Sequence, residues 1–250
     1  MKKETELARV RKANELIQKA RFSLSLQQQK IILYLISKIK PTDTDFHEYV
    51  FEIKAFCEAC GIDSDGGTIY SEIKEAIKNI ADKSLWIKMP DGRETLLRWI
   101  AKASIEPRTG TLTIRLDNDM KPYLLQLNKN YTTYDLVYTL SYKSKYSVRL
   151  YELIKSIHYD EQKAFSYVYS VEELKKLLGA ETYKSYSHFK QFALEPAINE
   201  INKVSDKTVG YEIAEKEGKR ITHLSIHIEK TDTIKSLISH KNITEPKKQR

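Results

Sequence analysis

The chain repeats itself. Two stretches 118 positions apart carry the same order of residue types. Tyr49, Val50, Phe51, Glu52 and Ile53 answer to Tyr167, Val168, Tyr169, Ser170 and Val171, and Phe56, Cys60 and Gly61 answer to Leu174, Leu178 and Gly179. After a gap of two residues, Tyr70, Ile73 and Lys74 answer to Tyr186, Phe189 and Lys190. Helix lengths alone would not keep a strand, a turn glycine and an aromatic in one register, so the pattern predicts two copies of one unit. In each copy an alternating stretch reads as a strand (around 47–53 and 164–170). It leads into a short helix closed by a glycine of the kind that caps helices in the left-handed conformation. A second amphipathic helix and a hairpin follow. Two helices joined by a glycine-containing turn and followed by a hairpin make a winged helix-turn-helix. The expected fold class is α+β: a tandem pair of winged helix-turn-helix domains related by the repeat, over residues 1–125 and 126–250, with a polar, Lys-rich tail from about residue 243 expected to be disordered.

The remaining segments fill in around this frame. Residues 5–20 read as a charged helix with a thin apolar stripe of Leu7, Val10, Ala13, Leu16 and Ile17. Ser23, Leu24 and Ser25 read as a cap before a core helix that ends ahead of Pro41. Gly66 and Gly67 mark a loop. Residues 84–90, 94–107 and 111–117 read as three strands joined by turns at Asp91-Gly92 and Thr109-Gly110. Residues 118–128 read as helical, and residues 141–157 as a long helix presenting Val148, Leu150, Tyr151, Ile154 and Ile157. The last hairpin has its tip at residues 215–220.

Composition narrows the class. The chain of 250 residues is 41% apolar and 30% charged, which is globular and not disordered. Eight glycines and six prolines are too few for a turn-rich β-sandwich. A net charge of +8 favours a nucleic acid or another anionic partner. The start MKKETELARVRKANE lacks the apolar core of a signal peptide, and no window approaches the length of a membrane span, so no membrane partner is expected. Cys57 and Cys60 form a lone C-x-x-C with no second pair; on a helix both fall on the buried side with Phe56 and read as small hydrophobes. The absence of a disulfide framework fits a reducing cytoplasm.

The second amphipathic helix of the second unit carries the candidate site. In YKSYSHFKQFALEPAINEINKVSD, residues 183–206, the apolar stripe is Tyr186, Phe189, Ala193, Ala197 and Ile201. Lys184, Ser187, His188 and Gln191 lie opposite, with Ser185 at the start and Lys190 at the side. A polar, partly basic face at the N-terminal end of a buried-side helix is the arrangement that reads DNA: Gln pairs with adenine, Ser and His reach base or phosphate, and the helix start favours a phosphate. Lys190 suits a phosphate better than a base. The equivalent helix of the first unit instead presents Thr68, Ser71, Glu72 and Glu75, whose carboxylates would repel phosphate. Further backbone contacts are expected from Tyr142, Lys143, Lys145 and Arg149, from Lys216, Lys219 and Arg220 at the wing tip, and from Arg93 and Arg108 at the first unit's turns.

Catalytic chemistry is not expected. No G-x-x-x-x-G-K loop is present, so no nucleotide cofactor is implied. His223 and His227 share a strand face but have no carboxylate cluster and lack the His-apolar-His spacing, so no metal is implied either.

The second half contains Tyr151-Glu152-Leu153, then Phe189-Lys190, Leu194-Glu195-Pro196-Ala197-Ile198 and Glu200-Ile201-Asn202; the first half contains FSLSLQQQKIILYLISKI. On these residues, and over about residues 8–230, the chain resembles the Rep_3 family of iteron-binding plasmid replication initiators. The resemblance implies a non-enzymatic protein that binds direct repeats (iterons) in double-stranded DNA at a plasmid origin, promotes opening of the neighbouring duplex, and recruits the host initiator and replicative helicase. It also implies a homodimer in equilibrium with the monomer, paired through the first domain, which binds an operator inverted repeat and represses the initiator's own gene. The first domain would add accessory DNA contacts and the second would read most of the bases. Candidate pairing surfaces are the strand near residue 50 and the hairpin strands near Trp99. The alternatives are a winged-helix autorepressor without an initiator role, a rolling-circle nicking enzyme and a protein-interaction scaffold that has lost DNA binding.

Overall fold

The computed structural model describes residues 8–62, 68–88, 91–158 and 163–231. The loop at Gly66-Gly67 and the tail from residue 243 lie outside them.

The chain opens with strand β1 (Arg9–Ala13), helix α1 (Asn14–Lys19) and the short strand β2 (Ala20–Arg21). The single helix expected over residues 5–20 is therefore a correction. Val10 and Lys12 alternate inward on β1, but a lysine reads as polar, so its burial hid the strand period. Helix α2 (Leu26–Ile36) begins where the serine cap was expected: Ser25 accepts from the Gln28 backbone and Gln28 returns a side-chain bond to the Ser25 N–H.

The first winged unit follows. It comprises strand β3 (Tyr49–Glu52), helix α3 (Ile53–Cys60), helix α4 (Ile69–Ala81), and strands β4 (Ser84–Lys88), β5 (Glu94–Arg98), β6 (Ile100–Glu106) and β7 (Thr111–Leu116). The long strand expected over residues 94–107 is broken. Trp99 is buried edge-on against Phe22, and the break sends β5 to a sheet ordered β2-β4-β5 while β6 joins β3-β7-β6. The helix expected over residues 118–128 is only a 3₁₀ turn (Asn118–Met120) and the short helix α5 (Lys121–Leu124).

Strand β8 (Tyr131–Asp135) then pairs antiparallel with β1, crossing the division expected at residue 125. Helix α6 (Leu136–Ser141) leads to α7 (Lys145–Ile157), which is buried along nearly its whole length and touches α1, α2, α6, α8, α10 and β8. The second winged unit consists of strand β9 (Ala164–Ser170), helix α8 (Val171–Leu178), a bent helix of three parts, and strands β10 (Lys207–Glu217) and β11 (Arg220–Lys230). The bent helix runs through α9 (Tyr186–Phe189), a π turn (Lys190–Leu194) and α10 (Glu195–Val204).

The repeat survives in three dimensions. Helices α3 and α8 have the same length, and each ends at a glycine with positive φ, 68° at Gly61 and 65° at Gly179. Gly179 is doubly constrained, since a Cβ there would meet the Phe22 carbonyl at 3.3 Å. The two wing sheets share one order: β6-β7-β3 in the first unit and β10-β11-β9 in the second. Among the described residues, strands β2, β4 and β5 have no counterpart in the second unit.

One buried carboxylate ties the pieces together. Glu152 on α7 accepts from Lys12 of β1 at 2.7 Å, from the Tyr134 hydroxyl of β8 at 2.5 Å and from Arg149 at 3.3 Å. Burial alone would raise its pKa; the Lys12 ammonium and the Arg149 guanidinium more than offset that and hold it below the usual carboxylate range. Burial likewise pushes Lys12 down, against the pull of Glu152. Three converging donors fit an ionised carboxylate.

Glu152→Ala leaves two cations buried without their partner. In urea denaturation it is expected to lose about 3–5 kcal/mol, whereas Arg9→Ala, at the exposed Arg9–Asp135 pair, should lose less than about 1 kcal/mol. Because the folded-state pKa of Glu152 is depressed, its contribution is present above the unfolded-state value of about 4.3 and lost as pH falls through the folded one. As pH falls below about 4.3, Glu152→Gln should therefore lose stability less steeply than the wild type.

Candidate nucleic-acid interface

Helix α8, the turn at Gly179 and the bent helix place a reading face beside the β10–β11 hairpin. Ser185 caps the bent helix, its hydroxyl accepting from the His188 N–H at 3.1 Å. Phe189, Ala193, Ala197 and Ile201 are buried and Tyr186 is half-buried, as the periodicity predicts. Lys184, Ser185, Ser187, His188 and Gln191 are all exposed. Lys190 is half-buried at the side of the helix, 3.4 Å from Glu195, which also accepts from the Tyr211 hydroxyl. Burial, reinforced by Tyr211, pushes the Tyr186 hydroxyl up to about 12, so it stays protonated at neutral pH.

The π turn was not legible as such. Pro196 has no N–H to donate to the residue-192 carbonyl, and the helix responds with a wider turn in which the Glu195 N–H reaches back to the Lys190 carbonyl.

The wing tip lies across from the helix start. Lys216, Lys219 and Arg220 are exposed, and Gly218 supplies the positive φ of 59° that the tight turn needs. Lys184, Ser185, Lys219 and Arg220 line one open groove of about 360 Å³, together with Lys175 and Glu172. Lys175 is nearly buried; it donates to the Lys184 carbonyl and to Glu172, so it fixes the backbone there. The groove thus brings together two clusters more than thirty residues apart in sequence.

Other expected contacts fall elsewhere. Arg149 is a correction: it is buried, donates to the carbonyls of Ile17 and Leu177, pairs with Glu152 and lies over the Phe22 ring at 4.4 Å. Its spacing on α7 placed it with the basic residues, but the helix has no solvent face at that turn. Tyr142 is likewise buried. Lys143 is exposed and Lys145 half-buried over the Tyr146 ring. Arg93 is exposed but sits on the β4–β5 turn, paired with Asp91 at 2.6 Å, and so belongs to the added sheet and not to the wing. Arg108 is exposed on the β6–β7 turn, the position equivalent to the second unit's wing tip. In the first unit Thr68, Ser71, Glu72 and Glu75 are exposed on α4, with Thr68 bonded to Glu72.

The residues that carried the family resemblance mostly hold the site in place. Glu200 accepts the backbone N–H groups of Lys143 and Ser144 and the Ser147 hydroxyl, closing the start of α7. Asn202 bonds both the N–H and the carbonyl of Val209, setting where β10 begins. Asp206 accepts from Tyr151 and Lys155.

Cys57 and Cys60 are buried free thiols; burial raises both, Cys57 to about 11. His223 and His227 each face a carboxylate on β10, Glu215 at 2.8 Å and Glu212 at 3.3 Å. Among the described residues no group of three or more His, Cys, Asp or Glu is placed to hold a metal ion, and no helix is long and apolar enough to cross a membrane. The sequence reading missed Phe192, which is 51% exposed on the reading face; its position four residues after His188 was the available signal.

Residues 9–155 match the family profile described as "Initiator Replication protein, WH1", and residues 170–228 match "Initiator Rep protein, WH2". The chain is 34% identical over 143 residues to the PI protein of Escherichia coli, covering 52% of this chain and 46% of that one. It is 25% identical over 226 residues to a replication initiation protein of Escherichia coli, covering 87% and 68%. The chain thus spans about half the length of the first relative. A crystal structure of the Pi initiator protein in complex with iteron DNA superposes with a TM-score of 0.72 at 22% identity, covering 91% of this chain and 99% of that one, a likeness of fold. With two winged units in the order of the profiles, and more than half its length matched by the first alone, the chain belongs to the Rep_3 family of replication initiator proteins.

Proposed function

We propose that this chain is a sequence-specific, non-enzymatic initiator of plasmid replication. It binds iterons at the origin, promotes opening of the adjacent duplex and brings in the host initiator and replicative helicase, acting in the cytoplasm. The observation that carries the DNA-binding part is the groove where the exposed helix start, Lys184 and Ser185, faces the wing-tip cations Lys219 and Arg220. A helix start and a basic hairpin so placed suit a major-groove edge and the neighbouring phosphates. The family, and the iteron-bound state of the Pi initiator in its complex, support the choice of DNA and of repeats.

We further propose a division of labour: residues 126–250 read the bases, and residues 1–125 provide accessory contacts and dimerisation. The carboxylates Glu72 and Glu75 on the exposed side of α4, which also carries Lys74 and Lys78, support the inequality. For the pairing surface, Trp99 itself is buried. Trp86 and Leu96 are directly opposed on β4 and β5 and remain 48% and 49% exposed beside an open sheet edge. An exposed apolar pair at an edge is a surface for a second copy.

Four experiments test this reading. Footprinting on the DNA flanking the gene should show several equally spaced protected repeats; one inverted repeat alone would favour an autorepressor, and a covalent tyrosine–DNA adduct with Mg²⁺ would show a nicking enzyme. Lys184→Ala with Gln191→Ala should abolish specific protection while the thermal midpoint stays put. Lys219→Ala with Arg220→Ala should instead weaken binding to all sequences and lower the slope of log affinity against log salt by about 1–2. For pairing, Trp86→Asp should shift sedimentation toward the monomer with secondary structure unchanged; an unaltered dimer would exclude this face.

A further inference from the structure

Phe192 is an apolar ring where the reading face is otherwise polar. It is 51% exposed, follows Gln191 and lies one turn beyond His188. In an unbroken α-helix, position 192 lies three residues after buried Phe189 and one before buried Ala193, on the flank of the apolar stripe. The wider π turn over Lys190–Leu194 takes up an extra residue and rotates position 192 away from that stripe. The ring is nevertheless not loose. Tyr183 stacks on it at 6.0 Å between centroids and 23° between planes, and Tyr183 is in turn backed by Tyr146 at 6.1 Å. His188 flanks it at 6.0 Å. One face is therefore held by protein and the rest is open.

From this we propose that Phe192, seated on Tyr183, is a specificity-determining contact for the 5-methyl group of a thymine in the major groove. The proposal rests on the reading of this helix as the DNA-reading element. Thymine is the base that presents an apolar group there, and a phenylalanine ring makes apolar contact with it but no hydrogen bond to any base edge. Neighbouring Gln191 carries the bidentate amide that pairs with adenine, so the two adjacent side chains together select an A·T-containing step.

Replacing thymine by deoxyuridine removes only the methyl group. The experiment uses the full-length protein and a duplex carrying the footprinted site, with each thymine replaced singly. Wild-type protein should lose about fourfold in affinity at one position per site, the effect of leaving one methyl-sized group unburied. Phe192→Ala should bind more weakly and show equal affinity for the thymine and deoxyuridine versions of that position. Because Phe192 is half exposed, its thermal midpoint should match the wild type. Discrimination by Phe192→Ala equal to the wild type's overturns the proposal, as does a wild-type protein indifferent to every substitution while Gln191→Ala still weakens binding. An effect of Phe192→Ala confined to DNA with two or more sites would assign the ring to a neighbouring protein copy and also overturn it. Specific binding insensitive to Lys184→Ala with Gln191→Ala would instead remove the reading helix itself.

Discussion

Glu152 is the interaction on which the arrangement of the two units depends. Its carboxylate gathers Lys12 from the first strand, Tyr134 from β8 and Arg149 from its own helix. Arg149 extends the network to the carbonyls that end α1 and approach the end of α8. A surface ion pair would tolerate the loss of any one member. This cluster does not, because each charge is out of water and depends on the others for its solvation. The position of the second helix-turn-helix relative to the first half is thus set by polar contacts inside the core, not only by apolar packing around α7.

The same principle separates holding from reading in the second unit. Glu200 and Asn202 belong to the stretch that most clearly marks the family, yet their side chains close the start of α7 and fix the start of β10, and Asp206 just beyond it binds Tyr151 and Lys155. Such residues set the angle between helix and wing. The candidate readers Lys184, Ser187, His188 and Gln191 are exposed on the other face of the bent helix, while Ser185 both caps that helix and borders the groove. Glu195 sits between the two groups, linking Lys190 to Tyr211.

Much of this was legible in the chain itself. The offset of 118 between the halves predicts two helices of equal length ending at Gly61 and Gly179, and the structure has them. Periodicity gave the buried stripe and the exposed face of the reading helix. Several failures share a cause: residues whose local pattern was overridden by a distant partner. Lys12 and Arg149 look like solvent-facing cations until Glu152 is placed beside them. Trp99 looks like one more residue of a strand until its ring is seen against Phe22. Residues 9–13 have a period compatible with helix and choose strand because β8 lies alongside. The groove between Lys184 and Arg220 is a tertiary juxtaposition that no spacing along the chain encodes.

The β1–β8 ladder has a consequence for how the protein is made. Arg9 pairs with Asp135, 126 positions later in the chain. A growing polypeptide must emerge past that point, and through α7, before its first strand finds a partner and Lys12 its carboxylate. Until then the leading segment waits with unpaired backbone and a cation bound for the interior, and closing so long a loop is the slow kind of folding step. Strand β1, although synthesised first, is completed only by residues 131–135 and by Glu152, far later in the chain.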